Sequence, residues 1–198
     1  MARNDNSVNI KNAGQDSGER YHHGDLRAAL VEEGLKRLKD GPAESLSLRE
    51  IARNVGVSAT AVYRHFPDKA ALLGALCVVG DERLADAFAA AMSKAKPGLD
   101  AFNAMGRAYV RFALANPSLF RLMMSAEAGH VDASPSRGRD MLARGIAEMG
   151  GGKASKALQD VRQLRAWSMV HGLAMLMLDG LVPADDAIIA QVVDAAVL

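Results

Sequence analysis

The chain has 198 residues, of which 49% are hydrophobic and 24% are charged, and its formal net charge is +1. This is the composition of an ordinary globular protein, and it excludes a strongly basic chain that binds nucleic acid through charge alone. One cysteine excludes an intramolecular disulfide and a cysteine-ligated metal cluster, and the longest uncharged apolar run, residues 166–178, is too short to span a bilayer. We therefore expect a cytoplasmic protein without a cofactor.

A polar segment, residues 1–20, opens the chain and predicts a flexible tail rather than a signal peptide. After it, apolar residues follow helical spacing almost throughout, with no convincing alternating strand. The first helix is expected from Asp25 to Lys39, where Gly41-Pro42 ends it. The fold class expected from this pattern is all-α.

Two short helices follow, and their spacing is typical of a helix-turn-helix. Ser47 and Glu50 have the spacing of a capping box, in which the glutamate reaches back to the cap amide, and they predict a helix to about Asn54. Gly56 is expected to turn the chain, because a left-handed backbone is cheap only for glycine. Ser58 then caps a third helix, to about His65, that is too short to be stable without packing.

The surface of this third helix is rich in hydrogen-bond donors and suits DNA. Small side chains at its start would let it enter the major groove, which is about 12 Å wide, and its N-terminal dipole attracts phosphate. Residues 20–70 carry nine Lys or Arg against seven Asp or Glu, whereas residues 71–198 carry thirteen of each sign. A helical hairpin with a solvated polar face is the alternative interpretation. The candidate residues are Ser58, Ala59, Thr60, Tyr63, Arg64, His65 and Lys69.

The remaining chain predicts a bundle of longer helices. Pro67-Asp68 precedes a long fourth helix, a fifth follows Pro97-Gly98, and Asn116-Pro117 starts a short helix that ends at Met124. Residues 128–138 are expected to form a loop. Further helices are expected over residues 139–149, 154–180 and 185–197.

Methionines and aromatic residues concentrate in these later helices and favour an adaptable apolar cavity for a small molecule. An ordinary helical core is the alternative for any one of them, and a lone histidine such as His171 is usually a core residue with a hydrogen-bond partner. No metal-ligand spacing and no catalytic constellation occurs in the sequence. The candidate ligand-binding residues are Phe102, Met105, Phe112, Phe120, Met123, Met124, Trp167, His171 and Met175.

A dimer interface is expected at the C-terminal end of the chain. Residues 166–178 have no polar face, and a helix that is apolar all round must be covered on every side. The last helix adds a second apolar surface. We therefore expect residues 154–197 to pair with a second copy of the chain, with complete burial inside one chain as the alternative.

Residues 21–76 resemble the DNA-binding domain of the tetracycline-repressor (TetR) family of bacterial regulators. The similarity rests on GVS-x-x-x-VYRHFP-x-K-x-x-L, which begins at Gly56. Trp167, His171 and Gly172, together with Asn116-Pro-x-Leu-Phe-Arg, resemble a subgroup named for its Trp-His-Gly signature. The resemblance implies about nine helices, with a helix-turn-helix domain over residues 21–70 joined by the long fourth helix to a ligand-binding and dimerisation domain over residues 71–198.

The resemblance also implies a role for each residue near the third helix. Phosphate contacts would come from Ser47, Ser58, Tyr63, His65 and Lys69. Base contacts would come from Arg49, Thr60 and Arg64. Ala59 stands where many relatives carry a longer polar residue, which reduces the base reading expected there. The expected partners are double-stranded DNA, a small-molecule effector and a second copy of the chain.

Two other classes of function remain open at this point. A helical enzyme would need reactive groups that the sequence does not bring together, and a helical interaction protein would have no use for the donors on the third helix. The sequence leaves open the effector, the operator, the regulated genes and the choice between repression and activation, although the family resemblance favours repression.

Overall fold

The computed structural model of the chain describes residues 26–125, 136–149 and 155–194, and every long element within them is an α-helix. The all-α prediction is therefore confirmed for the described residues, together with its nine helices. The predicted tail over residues 1–20, most of the predicted loop and residues 195–198 lie outside them. The helices are α1 (Leu26–Asp40), α2 (Leu48–Val55), α3 (Ala59–His65), α4 (Lys69–Met92), α5 (Leu99–Ala115), α6 (Pro117–Met124), α7 (Arg137–Met149), α8 (Lys156–Leu178) and α9 (Asp186–Asp194).

The first three helices pack around a small apolar core. Leu30 of α1 and Val62 of α3 are fully buried, and Phe66 after α3 is 1% exposed. Gly56 ends α2 with a φ of 78°, as its glycine predicted, and the next amide donates to the Ala52 carbonyl oxygen at 2.9 Å. This left-handed turn sets the angle between α2 and α3.

The predicted capping box at α2 is wrong. Ser47 occupies the N-cap position, but its side chain makes no capping hydrogen bond. The reason is a competing ion pair, because Glu50 accepts a hydrogen bond from Arg37 of α1 at 2.7 Å and lies 3.7 Å from Arg53. A carboxylate gains more from a guanidinium than from a single backbone amide, so Glu50 fastens α2 to α1 instead.

The long helix α4 connects this three-helix unit to the rest of the chain. It packs on α1 at its start, and on α5, α6 and α7 farther along. Gly80 lets α6 come close, since a Cβ there would lie 2.5 Å from Met123 Sδ. α6 also packs against α1 and a short 3-10 turn, residues 43–45. Both α4 and α6 therefore touch the N-terminal three-helix unit, through α1, as well as the C-terminal bundle.

The C-terminal bundle is centred on α5, which packs between α4 and α8, with α9 beside it. One face of α8 is buried in the chain through Ala166, Val170, Leu173, Ala174 and Met177. The prediction that this segment needs cover on every side is thus met on one side only, because the opposite face stays exposed. No helix among the described residues has the length and apolarity needed to cross a membrane.

Candidate functional site

Helix α3 presents a polar surface on a well-packed base. Only one of its seven residues, Val62, is buried. Ala59, Thr60, Arg64 and His65 are exposed, and Tyr63 is 45% exposed. Because Val62 anchors the helix from below, these side chains project together from one short rod.

The cap residues of this unit differ in how much of their hydrogen-bonding capacity the fold uses. Ser58 accepts from the Ala61 amide at 3.2 Å, so the predicted cap of α3 is confirmed. Its hydroxyl hydrogen remains for an outside acceptor. Ser47 has no capping bond at all, and its half-buried hydroxyl is available for a phosphate oxygen.

Lys69 is held in place by a contact that the sequence did not indicate. Its ammonium donates to the Glu44 carbonyl oxygen in the 3-10 turn at 2.6 Å. An ammonium has three donors, so two remain for a phosphate. Asp68 beside it caps α4 by accepting from the Ala71 amide at 2.8 Å, which fixes the start of the helix.

The guanidinium groups of this region divide into paired and unpaired ones. Arg37 and Arg53 lie against Glu50, and Arg27 lies over the Phe66 ring at 5.2 Å. Arg64, by contrast, is exposed and forms no ion pair with a described residue, and the same holds for Arg49. The two arginines for which the family resemblance implies base contacts are therefore available to bind a partner.

A second cluster of polar side chains lies inside the C-terminal bundle, around Tyr109 of α5. Its hydroxyl oxygen lies 3.1 Å from Trp167 Nε1 and 3.0 Å from His171 Nδ1, both on α8. The Phe120 ring of α6 meets the tyrosine ring edge-on at 5.5 Å. On the other side, the Phe88 ring of α4 stacks on Tyr109 at 6.4 Å. Four helices thus meet at one buried tyrosine.

Burial changes the acidity of this cluster. It raises the pKa of Tyr109 to about 12, against a smaller opposing effect of the Trp167 hydrogen bond. It also lowers the pKa of His171, because removing the imidazole from water disfavours its charged form. At neutral pH, burial therefore favours the uncharged forms of both the tyrosine and the histidine.

The structure divides the predicted ligand-binding residues among several contacts. Phe102 and Met105 face α7, where a Cβ on Gly145 would lie 2.9 Å from the Phe102 ring. Met123 lies against Gly80 on α4. Four others, Phe120, Met124, Trp167 and His171, surround Tyr109. Phe112 is buried in α5 and Met175 is half-buried near the end of α8.

Tyr109 itself was missing from the predicted ligand-binding residues. Tyr109 shares a helical face with Phe102, Met105 and Phe112, so the sequence pattern predicts that it is buried. A buried tyrosine hydroxyl needs hydrogen-bond partners, and this requirement could have indicated the cluster. An open depression of about 400 Å³ on α7 was also not predicted. None of the candidate residues borders it, and it is lined by Arg137, Asp140, Ala143 and Arg144.

The face of α8 opposite the core is apolar and exposed. Val161, Leu164 and Leu176 are 54%, 58% and 43% exposed. Between them lie the small residues Ser168 and Gly172, and no described residue comes within 4 Å of a Cβ built on Gly172. Among the described residues, therefore, none packs closely against this glycine.

Comparison with known proteins gives matches at both ends of the chain. A family model described as bacterial regulatory proteins of the tetR family matches residues 30–76, and one described as the tetracyclin repressor-like C-terminal domain matches residues 102–197. An HTH-type transcriptional regulator of Mycobacterium tuberculosis is 35% identical over 114 residues, which are 57% of this chain and 49% of that protein. The aligned part is thus about half the length of that relative.

Other matches extend over more of the chain. An uncharacterized HTH-type transcriptional regulator of Mycobacterium tuberculosis is 28% identical over 172 residues, 85% of this chain and 72% of the relative. A protein of unknown function from Rhodococcus sp. RHA1 superposes with a TM-score of 0.71 at 29% identity, covering 90% of this chain and 94% of that one. A putative tetR family regulator from Shewanella sp. PV-4, at 21% identity and a TM-score of 0.65, covers 85% and 94% and shows the shared fold.

The two family models lie on the two regions that the geometry separates. The first covers the helix-turn-helix with its exposed α3, and the second covers α5 to α9 with the Tyr109 cluster. The Trp-His-Gly subgroup stays a prediction, and so do the domain limits at residues 21, 70 and 198, since α4 runs through the expected boundary. The chain belongs to the tetracycline-repressor family of bacterial transcription regulators.

Proposed function

We propose that this chain is a homodimeric repressor that binds a palindromic DNA operator through α3 and releases it when a small molecule enters the C-terminal bundle. The observation that carries the proposal is the exposed donor surface of α3 on its single buried anchor, Val62. A protein that binds the bacterial chromosome in this way acts in the cytoplasm.

Contacts to DNA divide into those that hold the protein and those that read the sequence. Following the family resemblance, we assign the phosphate contacts to the donors of Tyr63, His65, Lys69, Ser47 and Ser58. We assign the base contacts to Thr60 and Arg64 of α3 and to Arg49 of α2. Phosphate contacts carry no sequence information, so only the second group sets the preference for an operator.

Dimerisation is supported by the exposed face of α8. An apolar row with small residues at its centre allows two helices to approach closely, and Val192 of α9, 39% exposed, lies on the neighbouring helix. Residues 154–197 would then form the interface. Two-fold symmetry places two α3 helices on successive major grooves of a palindrome.

Coupling between effector and operator is supported by two helices. α4 begins at Lys69, which is tied to the 3-10 turn, and Phe88 on the same helix stacks on Tyr109. α6 carries Phe120 and Met124 beside Tyr109 and packs against α1. A ligand shifts the DNA-binding equilibrium only by its differential affinity for the two states, and both helices could transmit that difference.

The test begins with selection of bound duplexes from a random pool, followed by gel retardation at several salt concentrations. A palindromic consensus is expected. Lys69→Ala should weaken binding to all sequences and reduce the salt-dependence slope by about one unit per half-site. Tyr63→Phe should weaken all sequences alike, whereas Thr60→Ala and Arg64→Ala should change the preferred base.

Lys96→Ala is the charge-matched control, since Lys96 is exposed just after the end of α4 opposite to Lys69 and lies outside the proposed interface. It should leave the slope and the affinity unchanged. A monomer at micromolar concentration that binds a single half-site would contradict the dimeric proposal, and equal loss in Lys96→Ala and Lys69→Ala would contradict the assignment of Lys69.

A further inference from the structure

Three side chains in the C-terminal bundle form a continuous chain of hydrogen bonds. Trp167 Nε1 lies 3.1 Å from the Tyr109 hydroxyl oxygen, and that oxygen lies 3.0 Å from His171 Nδ1. Tyr109 is 6% exposed, so water does not compete for its hydroxyl. The protons in this chain are therefore set by the protein alone.

The direction of the chain follows from the chemistry of its first member. An indole nitrogen can only donate, so the Trp167 N–H occupies one lone pair of the Tyr109 oxygen. The tyrosine proton then has two acceptors within reach, His171 Nδ1 at 3.0 Å and Met124 Sδ at 3.9 Å. A thioether sulfur is a weak acceptor, so the proton points at the histidine nitrogen.

A histidine that accepts at Nδ1 carries its proton at Nε2 in the neutral form. Burial favours that neutral form, since it lowers the pKa of His171. Nε2 has no hydrogen-bond partner among the described residues. Every buried side-chain nitrogen or oxygen among those residues has a partner, so Nε2 is not one of the buried atoms. Nε2 is therefore accessible at the surface of the cluster, and it presents an N–H group.

The surroundings of this N–H group are apolar and aromatic. The His171 ring lies 5.6 Å from the Trp167 ring and 5.7 Å from the Phe120 ring. Trp167 is 43% exposed, so its ring also offers free apolar surface. Helix geometry at 100° per residue places Trp167 and His171 about 80–140° around α8 from Val161 and Gly172, next to Leu164 at the border of the face that the proposed dimer would cover.

We propose that His171 Nε2–H is the hydrogen-bond donor that selects effectors, and that the effector is an apolar molecule bearing a carbonyl oxygen, such as a ketone, ester or amide. The inference rests on the proposed function, because it assigns one contact within the proposed effector site. The carbonyl oxygen accepts from Nε2, and the apolar body of the molecule lies on the exposed Trp167 ring.

The same geometry excludes a ligand that offers only a donor, such as an alkylammonium. To receive that donor, Nε2 would have to give up its proton, and Nδ1 would have to take one. The Tyr109 proton would then have to move to the Met124 sulfur, which replaces a good acceptor with a poor one. Because the hydrogen-bond chain runs in one direction, His171 presents a donor and selects ligands that carry a hydrogen-bond acceptor.

The first test measures the tautomer in the full-length protein without a ligand. Side-chain 15N–1H correlation spectra of histidine-labelled protein should show His171 with its proton at Nε2 and a bare Nδ1. Tyr109→Phe should release this preference, because it removes the hydroxyl that donates to Nδ1. A proton at Nδ1 in the unmodified protein would overturn the inference.

The second test compares probes of similar size. Cyclohexyl methyl ketone, methylcyclohexane and cyclohexylamine are titrated while Trp167 fluorescence and the His171 Nε2–H resonance are followed. The ketone should bind about fivefold more tightly than the hydrocarbon, the value of one net hydrogen bond, and the amine should bind less tightly than either. Equal affinities for ketone and hydrocarbon, or no ketone binding up to its solubility, would overturn the inference.

Two substitutions at residue 171 provide the matched control. His171→Gln places an amide N–H near the position of Nε2 and should keep part of the preference for the ketone, whereas His171→Asn places its amide near Nδ1 and should lose it. Gel retardation with the selected operator is run on both. If the unmodified protein does not bind DNA, the proposed function is contradicted. If His171→Asn keeps the full preference for the ketone, only the subsite at His171 is contradicted.

Discussion

Helix α3 and helix α8 carry the two candidate functions, and they acquire their chemistry in different ways. α3 has seven residues, and its capping serine, its preceding glycine turn and its exposed donors all lie within about a dozen positions of sequence. α8 has 23 residues, and its polar cluster exists only because Tyr109 arrives from α5. A functional surface can be local in sequence, or it can be assembled by packing.

The largest expected effect that tests this contrast comes from truncating Phe66, a large buried side chain directly after α3. Phe66→Ala should cost about 3–5 kcal/mol, as for other buried aromatic residues, because its ring is 1% exposed and packed under Arg27. We expect DNA retardation to be lost while Trp167 fluorescence still reports a folded bundle. Thermal unfolding followed at Trp167 and by far-UV circular dichroism separates the two regions.

Tyr63→Ala serves as the comparison for Phe66→Ala, since Tyr63 is 45% exposed on α3, the helix that Phe66 directly follows. It should change the melting temperature little and still weaken DNA binding. If Trp167 fluorescence and far-UV circular dichroism report the same unfolding transition for Phe66→Ala, the chain unfolds as one cooperative unit. That result would contradict the distinction between the two regions.

How far the sequence predicts each region follows from the same contrast. The bounds of α3 and α6 agree with the predicted ones, because a cap and a proline are local signals. The prediction of a capping box was wrong because Glu50 accepts a hydrogen bond from Arg37, which lies on another helix. The partner of His171 was hidden for the same reason, as Tyr109 is 62 positions away. Local chemistry can be predicted from spacing, and long-range pairing requires the fold.

Two glycines offer an intermediate effect that differs between the regions. Gly56→Ala should cost about 1–2 kcal/mol, because its φ of 78° is strained for any residue with a Cβ. Gly172→Ala, in the interior of α8, should instead stabilise the isolated subunit by about 1 kcal/mol through helix propensity, since a Cβ there meets no described residue within 4 Å. Denaturant melts of both variants, at low protein concentration, give the comparison.

Sedimentation of Gly172→Ala then distinguishes the subunit from the dimer. If a second copy packs against the row on α8, the added methyl group should weaken the dimer although each subunit is more stable. An unchanged dimer at all concentrations would place the interface elsewhere, and a destabilised subunit would mean that Gly172 has a neighbour within its own chain.

The smallest expected effect is a pH dependence that belongs to α8 alone. Burial lowers the pKa of His171 in the folded chain below its ordinary value of 6.5. Below about pH 6.5 the unfolded chain therefore binds a proton that the folded chain does not, and the free energy of unfolding falls as the pH falls towards the folded-state pKa. Above that window the contribution is constant.

His171→Gln and His171→Asn cannot titrate, so both should show a shallower loss of stability than the unmodified protein across this window. The difference between unmodified and variant curves removes the titration of the carboxylates, which all three proteins share. Parallel curves would mean that the histidine is as well solvated in the folded chain as in the unfolded one, and the neutral hydrogen-bond chain through Tyr109 would lose its electrostatic basis.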